Sequence, residues 1–183
     1  QIVNGYGPTE TTICATAFVV TPDNLADFST IPIGKPLHNL KGYIVNKDFQ
    51  LLPIGYTGEL CIEGDNVSKG YLSNTELTNK KFVTSPFSFN KIVYRTGDLV
   101  KMLPDGNLMF VGRNDHQVKI RGHRIELGEI TSAISSYPEI RKCVINLRNN
   151  NTVIVAFFTA SRPISTRELR GYLYKKLPLY EID

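Results

Sequence analysis

As far as residue 112 the apolar runs of this chain are short, rich in β-branched residues and broken by glycine, proline and polar turn residues. Helical spacing becomes prominent only after that point. Residues 12–20 read as a buried strand following the Gly7-Pro8 turn, and residues 41–46 and 58–63 as strands on either side of a turn at 52–57. Residues 31–36, stiffened by Pro32 and Pro36, form an extended connector. Pro104-Asp105-Gly106 is a strong turn sequence and predicts a hairpin between residues 93–102 and 107–111. Ser73, three residues before Glu76, has the spacing of a cap on a short helix. Many short strands with few helices predict a small distorted β-barrel.

The remainder follows a different period. Val118, Ile120 and Ile125 are strand material interrupted by Gly122. Residues 126–137 form a helix with Leu127, Ile130 and Ile134 on one stripe and Pro138 beyond its end. Residues 142–147 and 152–159 pair around the polar turn at 148–151, and a second helix starts at Ser165 or Thr166 and stops at Pro178. The fold class is therefore α+β. A barrel subdomain occupies residues 1–112, a join residues 113–116, and an α+β unit of about 70 residues the rest, a size at which folding alone is marginal.

Hydrophobic residues make up 42% of the chain and charged residues 21%, near globular averages. No apolar run approaches the roughly 20 residues of a membrane span. A soluble, cytoplasmic protein is expected, with no membrane partner. Cys14, Cys61 and Cys143 are too few and too scattered for a disulfide framework or a zinc site, and read as reduced thiols, mostly buried. The net charge of +4 is dispersed and not interleaved with aromatics, which argues against nucleic-acid binding.

Three segments carry chemistry when taken together. Asn4-Gly5-Tyr6-Gly7-Pro8-Thr9-Glu10 offers an aromatic face, glycines that let backbone approach a ligand, a hydroxyl and a carboxylate, parts suited to adenine, phosphate and a magnesium ion. Tyr94-Arg95-Thr96-Gly97-Asp98 and Gly112-Arg113-Asn114-Asp115 add an acid and a guanidinium able to hold ribose hydroxyls. Each segment alone reads as an ordinary turn or a solvated loop. Their order and combination point to an ATP site.

Five blocks in order resemble the adenylation domains of nonribosomal peptide synthetases, within the adenylate-forming superfamily. They are residues 4–12, the stretch from Gly58 to Tyr71, residues 94–98, the long run 112–130, and Leu177-Pro178-Leu179-Tyr180. The form Gln117-Val118-Lys119-Ile120-Arg121-Gly122 is similar to the peptide-synthetase branch more than to the acyl-CoA branch. Glu181-Ile182-Asp183 departs from the family's Met-aliphatic-Pro continuation, and Ser68 stands where Ala is common.

The resemblance implies a role for each matched residue. Tyr6 stacks on adenine, Thr9 donates to the α-phosphate, Glu10 ligates magnesium, Asp98 accepts from both ribose hydroxyls, and Arg113 adds donors beside it. Gly5, Ile13 and Cys14 match the family's amino-acid pocket; small, apolar and soft, they point to a hydrophobic or aromatic amino acid, although Ile13 and Cys14 also read as strand packing. Asp115 falls on the hinge of a C-terminal lid over residues 117–183. Lys119 acts in the thioester-forming state, and Gly122 lines the passage for the phosphopantetheine arm of a partner carrier domain.

The implied reaction joins an amino-acid carboxylate to the α-phosphorus of ATP, releases pyrophosphate, and passes the acyl group to the carrier thiol, so positioning and charge neutralisation dominate. The other functions open at this point are a stand-alone acyl- or aryl-acid CoA ligase and a nonenzymatic nucleotide-binding or docking module. The family's phosphate loop, its amino-group-anchoring Asp and its C-terminal Gly-Lys segment do not occur between Gln1 and Asp183, so the sequence is expected to be the C-terminal part of such a domain. Losing the lysine alone would cost about 3 kcal/mol of transition-state stabilisation. The 183-residue chain by itself is therefore expected to show no amino-acid-dependent pyrophosphate exchange, a result that an exchange assay on the isolated chain checks directly.

Overall fold

β-Branched and aromatic residues flanking Gly and Pro turns produce antiparallel strands through the first 113 residues, as their preference for a pleated, half-buried surface requires. The computed structural model describes residues 2–115, 117–120, 123–149 and 153–182, with the backbone alone at Lys119 and Arg124. It divides into two units, Gln1–Asp115 and His116–Asp183.

In the first unit, β1 (Ile2–Tyr6), β2 (Thr16–Val20) and β3 (Lys35–Pro36) form one antiparallel sheet, with the single-turn helix α1 (Pro22–Leu25) after β2. A second sheet contains β4 (Leu40–Val45), β5 (Thr57–Gly64), β6 (Phe82–Thr84), β7 (Ile92–Met102) and β8 (Leu108–Arg113), and helix α2 (Thr75–Lys81) precedes β6. β7 is its axis: β5 lies along one edge, while β6 and β8 share the other, pairing with its first and second halves. Ala15, Ile33, Ile44, Leu60, Ile62, Val100 and Leu108 form the core between the sheets. Each large aliphatic there contributes about 1.5–3 kcal/mol by leaving water.

The expected barrel does not close among the described residues. The two sheets are linked by an isolated bridge between Gly34 and Leu108, where the Ile33 amide donates to Leu108 O at 2.8 Å and the Leu108 amide to Gly34 O at 2.8 Å. β3 is too short to extend that ladder, since it ends at Pro36, which has no N–H. Two further expectations shift. Residues 12–15, expected as the start of a strand over 12–20, are not strand: left-handed backbone at Thr12 and Ile13 follows a 3-10 turn at Thr9–Thr11, and the strand begins at Thr16. The cap of α2 is Asn74, whose Oδ1 accepts from the Leu77 amide at 3.0 Å; Ser73 has φ +56°, outside the extended region an N-cap occupies.

The second unit is α+β as expected. β9 (Gln117–Ile120) pairs with β10 (His123–Glu126), and β11 (Ile140–Arg148) with β12 (Val153–Ala160). Helices α3 (Leu127–Ser135) and α4 (Thr166–Leu173) bury Ile130, Ile134 and Leu173 with Ile120, Ile125 and Tyr137. Ser165 caps α4 by accepting from the Glu168 amide at 3.2 Å. Arg162 donates to Glu168 at 2.5 Å and Tyr137 OH donates to the same carboxylate, which holds the Glu168 carboxyl down at about 2.

Gly34 fixes the junction of the two sheets. Its φ is +84°, and a Cβ there would lie 1.8 Å from the Ala17 carbonyl oxygen, a backbone atom that cannot swing aside. Gly34→Ala is expected to lower stability by about 3 kcal/mol or more, combining the left-handed penalty with displacement of β2. Urea unfolding followed by circular dichroism measures the loss.

Candidate functional site

The site is built around an irregularity in β7. Glu59 of β5 pairs with Leu99 and Cys61 with Arg95, so Thr96, Gly97 and Asp98 stand opposite the single residue Leu60. Bulges of this kind re-aim a side chain next to a functional site. Thr96 secures the bulge: its hydroxyl donates to Leu60 O at 2.7 Å and accepts from the Asp98 amide at 2.9 Å. Glu59, itself buried, takes the Gly97 amide at 3.1 Å and Arg95 at 2.5 Å. The inner residues of the segment thus hold β7 to β5, and Asp98 is what the bulge presents.

Asp98 is 5% exposed and has a donor on each oxygen, Arg113 Nη1 on Oδ1 and Tyr6 OH on Oδ2. β8 sets Arg113 directly across from Asp98 in register. The guanidinium also donates from Nε and Nη2 to the two oxygens of Asp115, each at 2.7 Å, and from Nη2 to Thr96 O at 3.1 Å. Lys81, at the end of α2, lies 3.6 Å from Asp115 Oδ2. Gly97 makes room for the fork: with φ +75°, a Cβ there would sit 2.5 Å from Asp115 Oδ2 and 2.9 Å from Arg113 Nη2. A buried carboxylate held by a guanidinium and a phenol is an oriented acceptor, suited to neighbouring hydroxyl groups.

Glu10 anchors a second group. It lies on the 3-10 turn with its side chain nearly buried, where Tyr71 OH donates to Oε1 at 2.6 Å and the Ser68 amide donates to the Glu10 carbonyl at 2.8 Å. Tyr71 packs edge-on against Phe82, at 5.4 Å between ring centroids. Asn66 belongs to the same loop: its Nδ2 donates to Thr11 O at 2.6 Å and Cys14 O at 3.3 Å, and its carbonyl accepts from Thr12 Oγ1 at 2.8 Å. Between these bonds Thr12 (φ +55°) and Ile13 (φ +72°) are left-handed, and the Cys14 amide closes a γ-turn onto Thr12 O at 2.9 Å. β-Branched residues avoid this region, and each such departure costs of order 1–3 kcal/mol.

The sequence-predicted residues fall as follows. Tyr6, Asp98, Arg113 and Asp115 share one hydrogen-bonded network. Thr9 is exposed on the turn that carries Glu10. Gly5 and Cys14 are adjacent, since a Cβ on Gly5 would meet Cys14 Sγ at 3.3 Å, while Ile13 projects from the turn at 80% exposure. Lys119 is on β9, paired with Arg124 through the backbone, and Gly122 lies outside the described residues. Among the described residues no group of three or more His, Cys, Asp or Glu could hold a metal by itself. A magnesium ion at Glu10 would take its other ligands from phosphate and water, in keeping with its chemistry.

Sequence reasoning gave no role to Tyr71, Asn66, Lys81 or Glu59. Tyr71 and Glu59 lie inside matched blocks, so the blocks flagged them without saying that one would orient Glu10 and the other the bulge. The thiols divide: Cys61 is buried, and burial pushes it up to about 12, while Cys14 and Cys143 are half-buried. No helix among the described residues is long and apolar enough to cross a membrane.

A model of the AMP-binding enzyme family matches residues 1–72. Bacitracin synthase 1 of Bacillus licheniformis is 46% identical over the whole chain, which covers 3% of that protein. Tyrocidine synthase 1 of Brevibacillus parabrevis is 47% identical over 98% of the chain, which covers 17% of it. Among solved structures, PA1221, an NRPS protein containing adenylation and PCP domains, superposes with a TM-score of 0.80 at 31% identity over 98% of this chain and 36% of that one. IdnL1 gives 0.85 at 27% identity over 97% of this chain and 37% of the other. The chain therefore spans a small part of the curated relatives it matches.

Burial, followed by the Asp98 charge, raises the pKa of Tyr6 above the ordinary phenol value of 10.0. A raised folded value favours the neutral phenol, so its contribution to stability is complete below about pH 10 and fades as pH climbs through the folded value. Tyr6→Phe is expected to lose about 1.5–3 kcal/mol at pH 7, the worth of a hydrogen bond to a charged group. Above pH 10 it should lose stability less steeply than the parent chain. Urea denaturation at pH 8 to 12 compares the two slopes.

Proposed function

We propose, from the match of residues 1–72 to the AMP-binding enzyme family and the identity to peptide synthetases along the chain, that it is the nucleotide-handling C-terminal portion of an amino-acid adenylation domain in a nonribosomal peptide synthetase. The observation that carries the reading is Asp98, a buried carboxylate fixed by Tyr6 and Arg113 at the bulge of β7. A carboxylate accepts about four hydrogen bonds, so the two ribose hydroxyls of ATP can join its donors or replace them. The Tyr6 ring, attached to Asp98 through its hydroxyl, supplies an adenine platform beside that ribose. Arg113 offsets the charge of two acids and adds donors in a rigid fork.

Glu10 and Thr9 form the phosphate end of the proposed site. The Glu10 carboxylate, oriented by Tyr71, offers a hard oxygen to magnesium, and the exposed Thr9 hydroxyl can donate to the α-phosphate. When bound, magnesium would neutralise charge on the phosphates as pyrophosphate leaves. Gly5, Ile13 and Cys14 would face the amino acid; their size and polarity favour a hydrophobic or aromatic side chain.

Residues 117–183 are the proposed lid, with Lys119 serving thioester formation and Gly122 the phosphopantetheine passage of a carrier domain. Asp115 is a sensible hinge. Its side chain is tied to Arg113 and Lys81, so torsions beyond it can change while the nucleotide network is kept.

The test uses the intact adenylation domain that contains this segment. Amino-acid-dependent ATP–pyrophosphate exchange is expected, and Asp98→Asn should raise KM for ATP about tenfold or more with little change in KM for the amino acid. The preference for ATP over 2′,3′-dideoxy-ATP should shrink in the variant, because the group that reads the hydroxyls is weakened. Absence of exchange in the parent domain, or undiminished discrimination in Asp98→Asn, would refute the assignment.

A further inference from the structure

We infer that Asn66 is a positioning residue for amino-acid selection: its side chain and carbonyl hold the strained turn that projects Ile13 and sets Cys14 beside Gly5. This rests on the proposed reading of Gly5, Ile13 and Cys14 as the amino-acid pocket. The turn has little reason to persist alone. Thr12 and Ile13 are both β-branched, both have positive φ, and they are closed by the two-residue hydrogen bond from the Cys14 amide to Thr12 O. Such a conformation survives where its surroundings over-determine it.

Asn66 provides that over-determination. Both amide hydrogens of Nδ2 are committed, one to Thr11 O at 2.6 Å before the turn and one to Cys14 O at 3.3 Å after it. Its main-chain carbonyl takes the Thr12 hydroxyl at 2.8 Å. Three bonds from one residue therefore bracket the two left-handed positions across a sequence separation of more than fifty residues. The other end of the same loop holds Glu10, through the Ser68 amide and the Tyr71 hydroxyl. Glu10 does not depend on Asn66 for either bond, so the clamp acts on the pocket side of the turn.

The amide is needed in this geometry because two carbonyl oxygens must be met by two hydrogens on one planar group. Asp in its place has the same shape and would set oxygen against oxygen. Gly would supply no side chain, and the turn would relax toward negative φ at Ile13. Relaxation swings the Ile13 side chain away from its present direction and withdraws Cys14 Sγ from the Gly5 backbone, which enlarges and softens that wall.

The experiment pairs a kinetic and a conformational measurement. In the intact adenylation domain, Asn66→Ala should raise KM for the preferred amino acid about tenfold and reduce its advantage over a smaller or larger one. KM for ATP should stay within twofold. Thr12→Val, which removes only the hydroxyl bond to Asn66 O, should move the same quantities in the same direction by less and serves if Asn66→Ala does not fold. In the 183-residue chain, NMR couplings that report φ should give a positive angle at Ile13, moving toward negative values in either variant. Unchanged amino-acid KM and selectivity in folded variants would overturn the inference, as would an unchanged angle at Ile13. Equal rises in both KM values would overturn it too, by indicating general loosening of the site. A parent domain without exchange activity would instead count against the proposed function, and the angle at Ile13 would still decide whether Asn66 holds the turn.

Discussion

The contact between Asp98 and Arg113 is the constraint on which the candidate site depends. Removing a carboxylate from water without a partner would cost several kcal/mol and drive it to protonate. Asp98 stays a usable acceptor because β8 brings Arg113 across from it and because β7 bulges where it emerges. Both conditions come from the ladder. The bulge is held by Thr96 and Glu59, the pairing by the hairpin at residues 103–107, and the core beneath by Leu60, Val100 and Leu108. The stability of the sheet and the readiness of the site are thus the same set of contacts seen from two sides.

Left-handed backbone also borders this arrangement. Gly97 and Gly34 take positive φ at no steric penalty, whereas Thr12 and Ile13 take it at a cost that neighbours must offset. Asn39, Phe49, Ser73 and Asn90 also take positive φ, but among the described residues only Thr12 and Ile13 are consecutive and β-branched. A glycine at residue 13 would relieve the backbone and delete the side chain, so a side chain presented from this position requires the strained solution.

Much of the fold was legible in the sequence. The hairpin at Pro104-Asp105-Gly106, the stripe of Leu127, Ile130 and Ile134, and the Ser165 cap each rest on a local rule that the tertiary structure does not override. The misses have physical causes. The barrel fails to close because closure depends on a two-residue strand ending at a proline, which strand propensity does not weigh. Residues 12–14 look like strand because Thr, Ile and Cys are β-formers, whereas non-local bonds from Asn66 and the Cys14 amide bond to Thr12 O accompany a turn there. Ser73 and Asn74 are both good caps, and a left-handed φ at Ser73 chose between them. The motif blocks named Tyr6, Asp98, Arg113 and Asp115, which are in contact; Glu59 and Lys81, which support that network, and Tyr71, which orients Glu10, received no role because a supporting bond spans tens of residues and follows no fixed spacing.

The choice of arginine at residue 113 follows from the same geometry. Nε and Nη2 meet both oxygens of Asp115, Nη1 meets Asp98, and Nη2 also reaches Thr96 O, so three acceptor groups on three sides share one planar cation. A lysine could satisfy one direction well and would leave the second carboxylate uncompensated in a site that is largely buried. Lys81 does not substitute for it: at 3.6 Å from Asp115 it is beyond hydrogen-bond reach and adds to the field without fixing direction. One guanidinium thus orients both the proposed ribose acceptor and the proposed hinge acid. In the proposed reading, that sharing would couple ribose binding at Asp98 to Asp115, where the first unit ends.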